Sequence, residues 1–432
     1  MERALAVDPV ATRPGLRERA LAVPREKLLF LLGIVAVGLH IVDDNYLQPE
    51  PGTSAGDHLT SGLVPLAILA AVTVLYPRMG GGLRAGIAMT FGAIAITIGV
   101  PGAYYLLDGS ASGDHYTGLL AIVAGAVLLV TGPVTLWTTR RREGSRRRRY
   151  LRRSLTAVAA LAVAPLVVVW VVFPVGLSYI YTHTGRTTAT PDLGVPYESV
   201  RVTTSDALKL SAWYMPSKNG AAVVVFPGAS RAKEARMLVG HGYGVLLLEA
   251  RGQGDSEGDT VRWAGDRDLL AGAAYLQNRP DVDPRRIGGF GFSVGGEILL
   301  EAAAQSTVFK AVVSEGAGER VGEADVSGAE KLLAAPMQAA ITAATTVFSN
   351  HGPPPPIVDR IGRIAPRSVL LIYADPGIGG ESTRQPKYYA AAGEPKAIWK
   401  VPGSKHTGGI DARPAEYERR VVAFFDHALL QR

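Results

Sequence analysis

The 432-residue chain contains no cysteine. That excludes a disulfide framework, a thiolate nucleophile and any cysteine metal site, and it leaves the redox compartment unreadable. Lysine and arginine are missing from two connections, "DDNYLQPEPGTSAGDHLTS" and "DGSASGDH". Ionisable side chains are almost absent from five long apolar stretches, so no proton or ion path is written inside them. The formal charge of +7 lacks an even spread. Residues 1–153 carry 17 Lys+Arg against 11 Asp+Glu, and the remainder 28 against 27. The second part therefore has no net basic character to offer a nucleic acid, and none is expected as a partner.

What is present first is hydrophobicity. The apolar stretches run Leu28–Val42, Leu59–Tyr76, Leu83–Leu107, Tyr116–Thr139 and Leu155–Tyr181. A helix needs roughly 20 apolar residues to cross a bilayer. The first stretch is short, carries His40, and lengthens only by admitting Asp43 and Asp44. No small-residue cleavage site follows it, which argues against a signal peptide. The charges between the stretches then alternate. Arg13, Arg17, Arg19, Arg25 and Lys27 precede the first, and Arg78 and Arg84 follow the second. "RRREGSRRRRYLRR" packs nine arginines between the fourth and fifth. Under the positive-inside rule this gives five spans with the N-terminus cytoplasmic and everything after Tyr181 outside the cytoplasm. The arginine run reads as an anchor on anionic lipid. The expected organisation is a transmembrane helical bundle over 1–181, a linker over 182–196 and a second domain over 197–432.

That second domain alternates strands and helices, the signature of a mostly parallel sheet covered on both faces. "SVRVTT" and "LKLSAWYMP" read as an opening antiparallel pair. "AAVVVFPG", "YGVLLLEA", "RIGGFGFS", "KAVVSEGA", "SVLLIYA" and "AIWKVPG" follow as apolar strands, with helical segments between them. Ser293 lies in Gly291-Phe292-Ser293-Val294-Gly295, a G-x-S-x-G with a strand before it and a helix after. In such an elbow the serine sits on a tight turn, and its neighbours must be small because backbone passes close by.

A serine hydroxyl needs a base, and the base an orienting acid, in the chain order serine, acid, histidine. His351 lies inside an insertion and His427 within the terminal helix. His406, in the loop "SKHTGG" after a strand, is the expected base. Two acids follow "SVLLIYA". Asp375 stands at the strand end, before a proline that restricts its backbone. Glu381 lies six residues on, beyond a glycine-rich turn, with a longer side chain. Glu381 is the expected acid and Asp375 the alternative. The oxyanion hole is expected from the amides of Val294 and Ala229, with Ser230 beside the latter; one such donor is typically worth about 3–4 kcal/mol.

Through "FPGAS", "ARGQGDSEGD", "GFGFSVGGE" and "VPGSKHTGG", residues 195–432 resemble an α/β-hydrolase of the dienelactone hydrolase and prolyl-oligopeptidase-like group. The resemblance implies hydrolysis of an ester, thioester or peptide-type bond through an acyl-Ser293 intermediate, with no metal or organic cofactor. "FPGAS" departs from the His-Gly that many relatives have in the oxyanion loop. The insertion, about 316–366, lies where such proteins carry a cap; its helical part is expected to line the acyl pocket or face the bilayer. Arg251 and Trp263 read as turn-bracing residues. The expected partners are the lipid bilayer and a small-molecule or lipid-like acyl substrate. A non-catalytic membrane scaffold and an envelope acyltransferase using the same trio are the competing functions.

Overall fold

A computed structural model describes residues 25–139, 145–184, 192–260, 263–320, 328–375 and 377–431. Arg13, Arg17 and Arg19, residues 140–144 of the arginine run, most of the linker and residues 321–327 of the insertion lie outside the described residues.

The first half is helical. Helix α1 (Arg25–Val42) continues through a wide π-type turn, Asp43–Leu47, so the first apolar stretch does take in Asp43 and Asp44. Helices α2 (Leu59–Leu75), α3 (Gly81–Leu107) and α4 (His115–Thr138) follow. The last long helical segment is α5 (Arg146–Val167), a second wide turn and α6 (Phe173–His183). All five are long and apolar enough to cross a membrane. Leucine and valine cannot hold helices together in an apolar medium, so small residues that let backbones touch take over. Ala85, Gly92 and Gly99 recur every seven residues along α3, as do Gly118, Gly125 and Gly132 along α4. A Cβ on Gly92 would stand 2.8 Å from the Gly125 carbonyl oxygen, and one on Gly99 2.5 Å from that of Gly118. One end of the bundle carries Arg25, Lys27, Arg78, Arg84 and Arg146; the other carries His40, Asp43, Asp44, His58, His115 and His183.

The second half is an eight-stranded sheet in the order β1-β2-β4-β3-β5-β6-β7-β8. The strands are β1 (Glu198–Thr203), β2 (Lys209–Met215), β3 (Ala222–Phe226), β4 (Gly244–Leu248), β5 (Ile287–Phe292), β6 (Ala311–Glu315), β7 (Ser368–Asp375) and β8 (Lys396–Pro402). β1 and β2 are antiparallel additions, and β4 to β8 run parallel with β3. The inner strands β3, β4, β5 and β6 are buried at every position, as their continuous apolar runs require. Helices α7 (Ala232–Gly240), α8 (Asp266–Gln277), α9 (Val294–Gln305), α11 (Glu381–Ala391) and α12 (Pro414–Phe425) connect or close the strands. They leave one core on each face of the sheet.

Between β6 and β7 lies α10 (Gly328–Ser349), the helical part of the insertion. It is built into the bundle. Ser178 Oγ donates to the Ile341 carbonyl at 3.2 Å, Thr345 Oγ1 donates to Ser178 Oγ at 2.9 Å, and Phe348 meets the Tyr179 ring edge-on at 5.3 Å. The loop after β4 adds further ties, Gly258 N–H to the Pro51 carbonyl at 2.8 Å and His58 facing Asp259 at 3.8 Å. Ser61 N–H reaches Asn350 Oδ1 at 3.2 Å. These ties come from connections that leave the C-terminal ends of strands, so the bundle sits over that edge of the sheet.

Candidate active site

β5 delivers its last residue, Phe292, to the same edge, and Ser293 turns the chain into α9 with φ 54° and ψ −129°. A non-glycine residue held at positive φ is strained, and the surroundings enforce it. A Cβ on Gly291 would lie 2.5 Å from the Gly295 carbonyl oxygen, and one on Gly295 2.6 Å from that of Phe226. No larger side chain fits either flank without moving backbone. Gly296 is also closely packed: a Cβ there would meet Ser314 Oγ at 2.5 Å.

His406 follows β8. Its Nε2 lies 2.8 Å from Ser293 Oγ and its Nδ1 2.8 Å from Glu381 Oε1. Glu381 opens α11 and is wholly buried, with its carboxylate also accepting from the amides of Ala374 and Ile378 at 3.1 Å each. Asp375 goes elsewhere: it pairs with Lys400 at 2.6 Å on the surface. Ser293, His406 and Glu381 are thus brought together, and Asp375 is not. His351 turns its Nδ1 to the Ser349 carbonyl at 2.6 Å, and His427 is exposed beside Gln431.

Val294 is the first residue of α9, so its amide is one of the free N–H groups at that helix start. Ala229 lies in the loop after β3, and its amide is near the Glu249 carboxyl at the end of β4. Burial pushes that carboxyl up to about 7, and the Ala229 amide opposes the shift. Ser230 is exposed.

Several supporting residues escaped the sequence reading. Glu315, at the end of β6, accepts from the Gly409 amide at 2.8 Å and from the Tyr417 hydroxyl, fixing the chain just past His406. Burial pushes Glu315 up to about 7 as well. Arg231 stacks 4.1 Å over the Phe292 ring and donates to Thr407 Oγ1 at 3.2 Å. The available signal was an acid closing an apolar strand, as in "VLLLE" and "AVVSE". Arg251 is a brace, ion-paired to Asp268 at 2.7 Å and Asp206 at 3.0 Å. Trp263 donates to the His351 carbonyl at 3.2 Å.

The model of the X-Pro dipeptidyl-peptidase (S15) family matches residues 184–356, a stretch that includes Ser293 and stops short of Glu381 and His406. That match agrees with the sheet order above. The second half of the chain has an α/β-hydrolase fold. An uncharacterized protein of Mycobacterium tuberculosis is 36% identical over 114 residues, 24% of this chain and 41% of that protein. The chain thus spans about two fifths of the length of that relative. YfhR of Escherichia coli, also uncharacterized, is 25% identical over 253 residues, 54% of this chain and 81% of YfhR. The Pyrococcus furiosus esterase Pf2001 superposes on the hydrolase half with a TM-score of 0.46 at 21% identity, covering 56% of this chain and 98% of the esterase.

Proposed function

We propose that the chain is a serine hydrolase, held in a membrane by its five apolar helices, that cleaves an ester, thioester or peptide-type bond through an acyl-Ser293 intermediate. The observation that carries this reading is the unbroken relay from Ser293 Oγ through His406 to Glu381, with both links at 2.8 Å. Ser293 Oγ attacks the acyl carbon while His406 Nε2 takes its proton. Glu381 holds the Nδ1 proton in place and stabilises the imidazolium that forms. The amides of Val294 and Ala229 receive the developing oxyanion. The bond to the leaving group breaks, and His406 returns the proton to the departing oxygen, sulfur or nitrogen. Water then attacks the acyl-serine carbon, again giving its proton to His406. Ser293 departs with that proton, and the carboxylic acid is released.

The basic end of the bundle, with Arg78, Arg84 and Arg146, faces the cytoplasm in this reading, and the hydrolase half lies on the opposite side. A reporter fused after the last residue should be extracytoplasmic; a cytoplasmic reporter overturns the orientation. The test of the chemistry is fluorophosphonate labelling of the full chain beside Ser293→Ala, His406→Ala, Glu381→Gln and Asp375→Asn. Labelling that needs Ser293 and His406, and falls with Glu381→Gln more than with Asp375→Asn, is the expected outcome. A folded protein that takes no label sinks the reading. Added alcohol acceptors that divert the acyl group from water would make it a transferase instead.

A further inference from the structure

The helices of the first half do not close on one another. They leave a cavity of about 460 Å³, a size ordinary for a small-molecule site. Four membrane-length segments wall it, with Ile68 from α2, Phe91 and Ile94 from α3 and Val175 from α6. The remaining wall is Ala340 to Phe348 of α10, the helix supplied by the hydrolase half. A cavity lined by apolar groups stays free of ordered water unless polar partners are present. Here the charged and amide side chains stand at one end, where Asp44, Asn45 and His183 lie with Ser61, and the Thr90 hydroxyl is turned back to the Gly86 carbonyl of its own helix. That end runs on into a small polar recess. The two share Asp44, Asn45, His183 and Phe348, and the recess is closed by Asp259 of the loop after β4. The polar end therefore meets the hydrolase at the edge of the sheet that carries Ser293. The chain that becomes α10 leaves the same edge at Gly316, where an added Cβ would stand 3.0 Å from the His406 ring.

A site that is largely apolar within membrane-length helices and charged only toward the hydrolase matches one kind of molecule, an acyl chain with a polar head. We infer that this cavity holds a fatty-acyl chain of the membrane lipid whose acyl bond the Ser293 site cleaves. The inference rests on the serine-hydrolase reading and narrows its substrate to an acyl lipid. Four bundle segments and one hydrolase helix then build a single site, the bundle holding the chain and the sheet edge acting on the head-proximal bond.

The test uses the full chain in phosphatidylcholine nanodiscs. A phosphatidylcholine with a diazirine in one 16-carbon chain is photolysed there with the Ser293→Ala protein, so that capture is read without turnover. Crosslinks concentrated on Ile68, Val175 and Ala340 to Phe348 are expected. Crosslinks spread evenly over outward residues such as Val130 and Leu161 overturn the site. Ala344→Trp and, from the opposite wall, Ile68→Trp fill the cavity. In each, cleavage of a palmitoyl ester should fall at least about tenfold relative to an acetyl ester. Fluorophosphonate labelling of both variants, expected at the parent level, reports that the hydrolase half is folded. Equal loss or equal retention of the two esters in labelled variants overturns the substrate assignment even if crosslinks appear. Absence of labelling in the parent protein is a separate result and strikes the hydrolase reading itself.

Discussion

The seam between α3 and α4 and the turn around Ser293 both depend on glycine, for different reasons. In the bundle, Gly92 and Gly125 remove side chains so that two helix backbones can touch, and the reward is close packing spread along the whole seam. In the hydrolase half, Gly291 and Gly295 clear space around one residue so that Ser293 can be held at φ 54°. The first use lowers the energy of the fold; the second lets the fold keep a strained residue at one point. Charge divides in the same way. The hydrolase half buries acids at fixed points, Glu249 and Glu315 at strand ends and Glu381 at the start of α11, and the last two each hold a backbone amide near the site. The bundle keeps its polar groups at its ends. One half is specified by shape, the other by shape plus charges at fixed points.

That contrast is open to test, and the largest effects belong at the fixed points. Ser293→Ala and His406→Ala should each lower the turnover of an ester substrate by at least about 10⁴-fold. Glu381→Gln should cost on the order of 10²- to 10⁴-fold, read as kcat rather than KM. An intact kcat in Glu381→Gln would break the relay.

The next effect is on stability. Glu315 titrates near 7 when folded, above its ordinary value. The native state therefore favours its protonated form. The stability this contributes is present below the ordinary carboxyl range and is lost as pH rises through about 7. Through Glu315 the unfolding free energy should fall over that window by up to about 3 kcal/mol, Glu249 adds a slope of the same sign, and Glu315→Gln should make the profile shallower. An unaltered profile in that variant would assign the pH dependence to another group.

Gly125→Ala tests the other half. Its new Cβ would lie 2.6 Å from the Gly92 carbonyl oxygen, so the helices must part. A loss of about 1–3 kcal/mol from the bundle is expected, with fluorophosphonate labelling unchanged. Lost labelling with an intact bundle would reverse the division between the halves. The smallest effect is at Asp375, paired with Lys400 on the surface. Asp375→Asn should change turnover less than about twofold, as exposed ion pairs contribute little.

Much of this architecture could be read from the chain because its signals are local. Apolar length marks the five helices, and every strand expected in the second half is present. Gly291-Phe292-Ser293-Val294-Gly295 carries its own turn. The acid was harder, because strand-end position favoured Asp375 and only the return of α11 toward β7 brings Glu381 under His406. What escaped entirely was pairing over distance. His40 meets Tyr179 at 3.0 Å and His183 meets Asp44 at 3.4 Å, partners about 140 residues apart. Nothing in an apolar stretch announces that its one histidine has a hydroxyl waiting in the last span. The destination of α10 was equally hidden, since its composition suits an acyl pocket and a bilayer alike.

α10 belongs to the second half by sequence and to the first by packing. The two halves are therefore interlocked, and cutting the chain after α6 would strip the partner from one wall of each piece. A shortened hydrolase would carry a bare apolar helix and tend to self-associate. A shortened bundle would stand open along one side. During synthesis the five apolar helices emerge first and stay incompletely walled until residue 349 has been made. The last wall of the bundle thus arrives with the chain that leads to Glu381 and His406, so the bundle cavity and the sheet edge beside Ser293 are completed in one late stage of assembly.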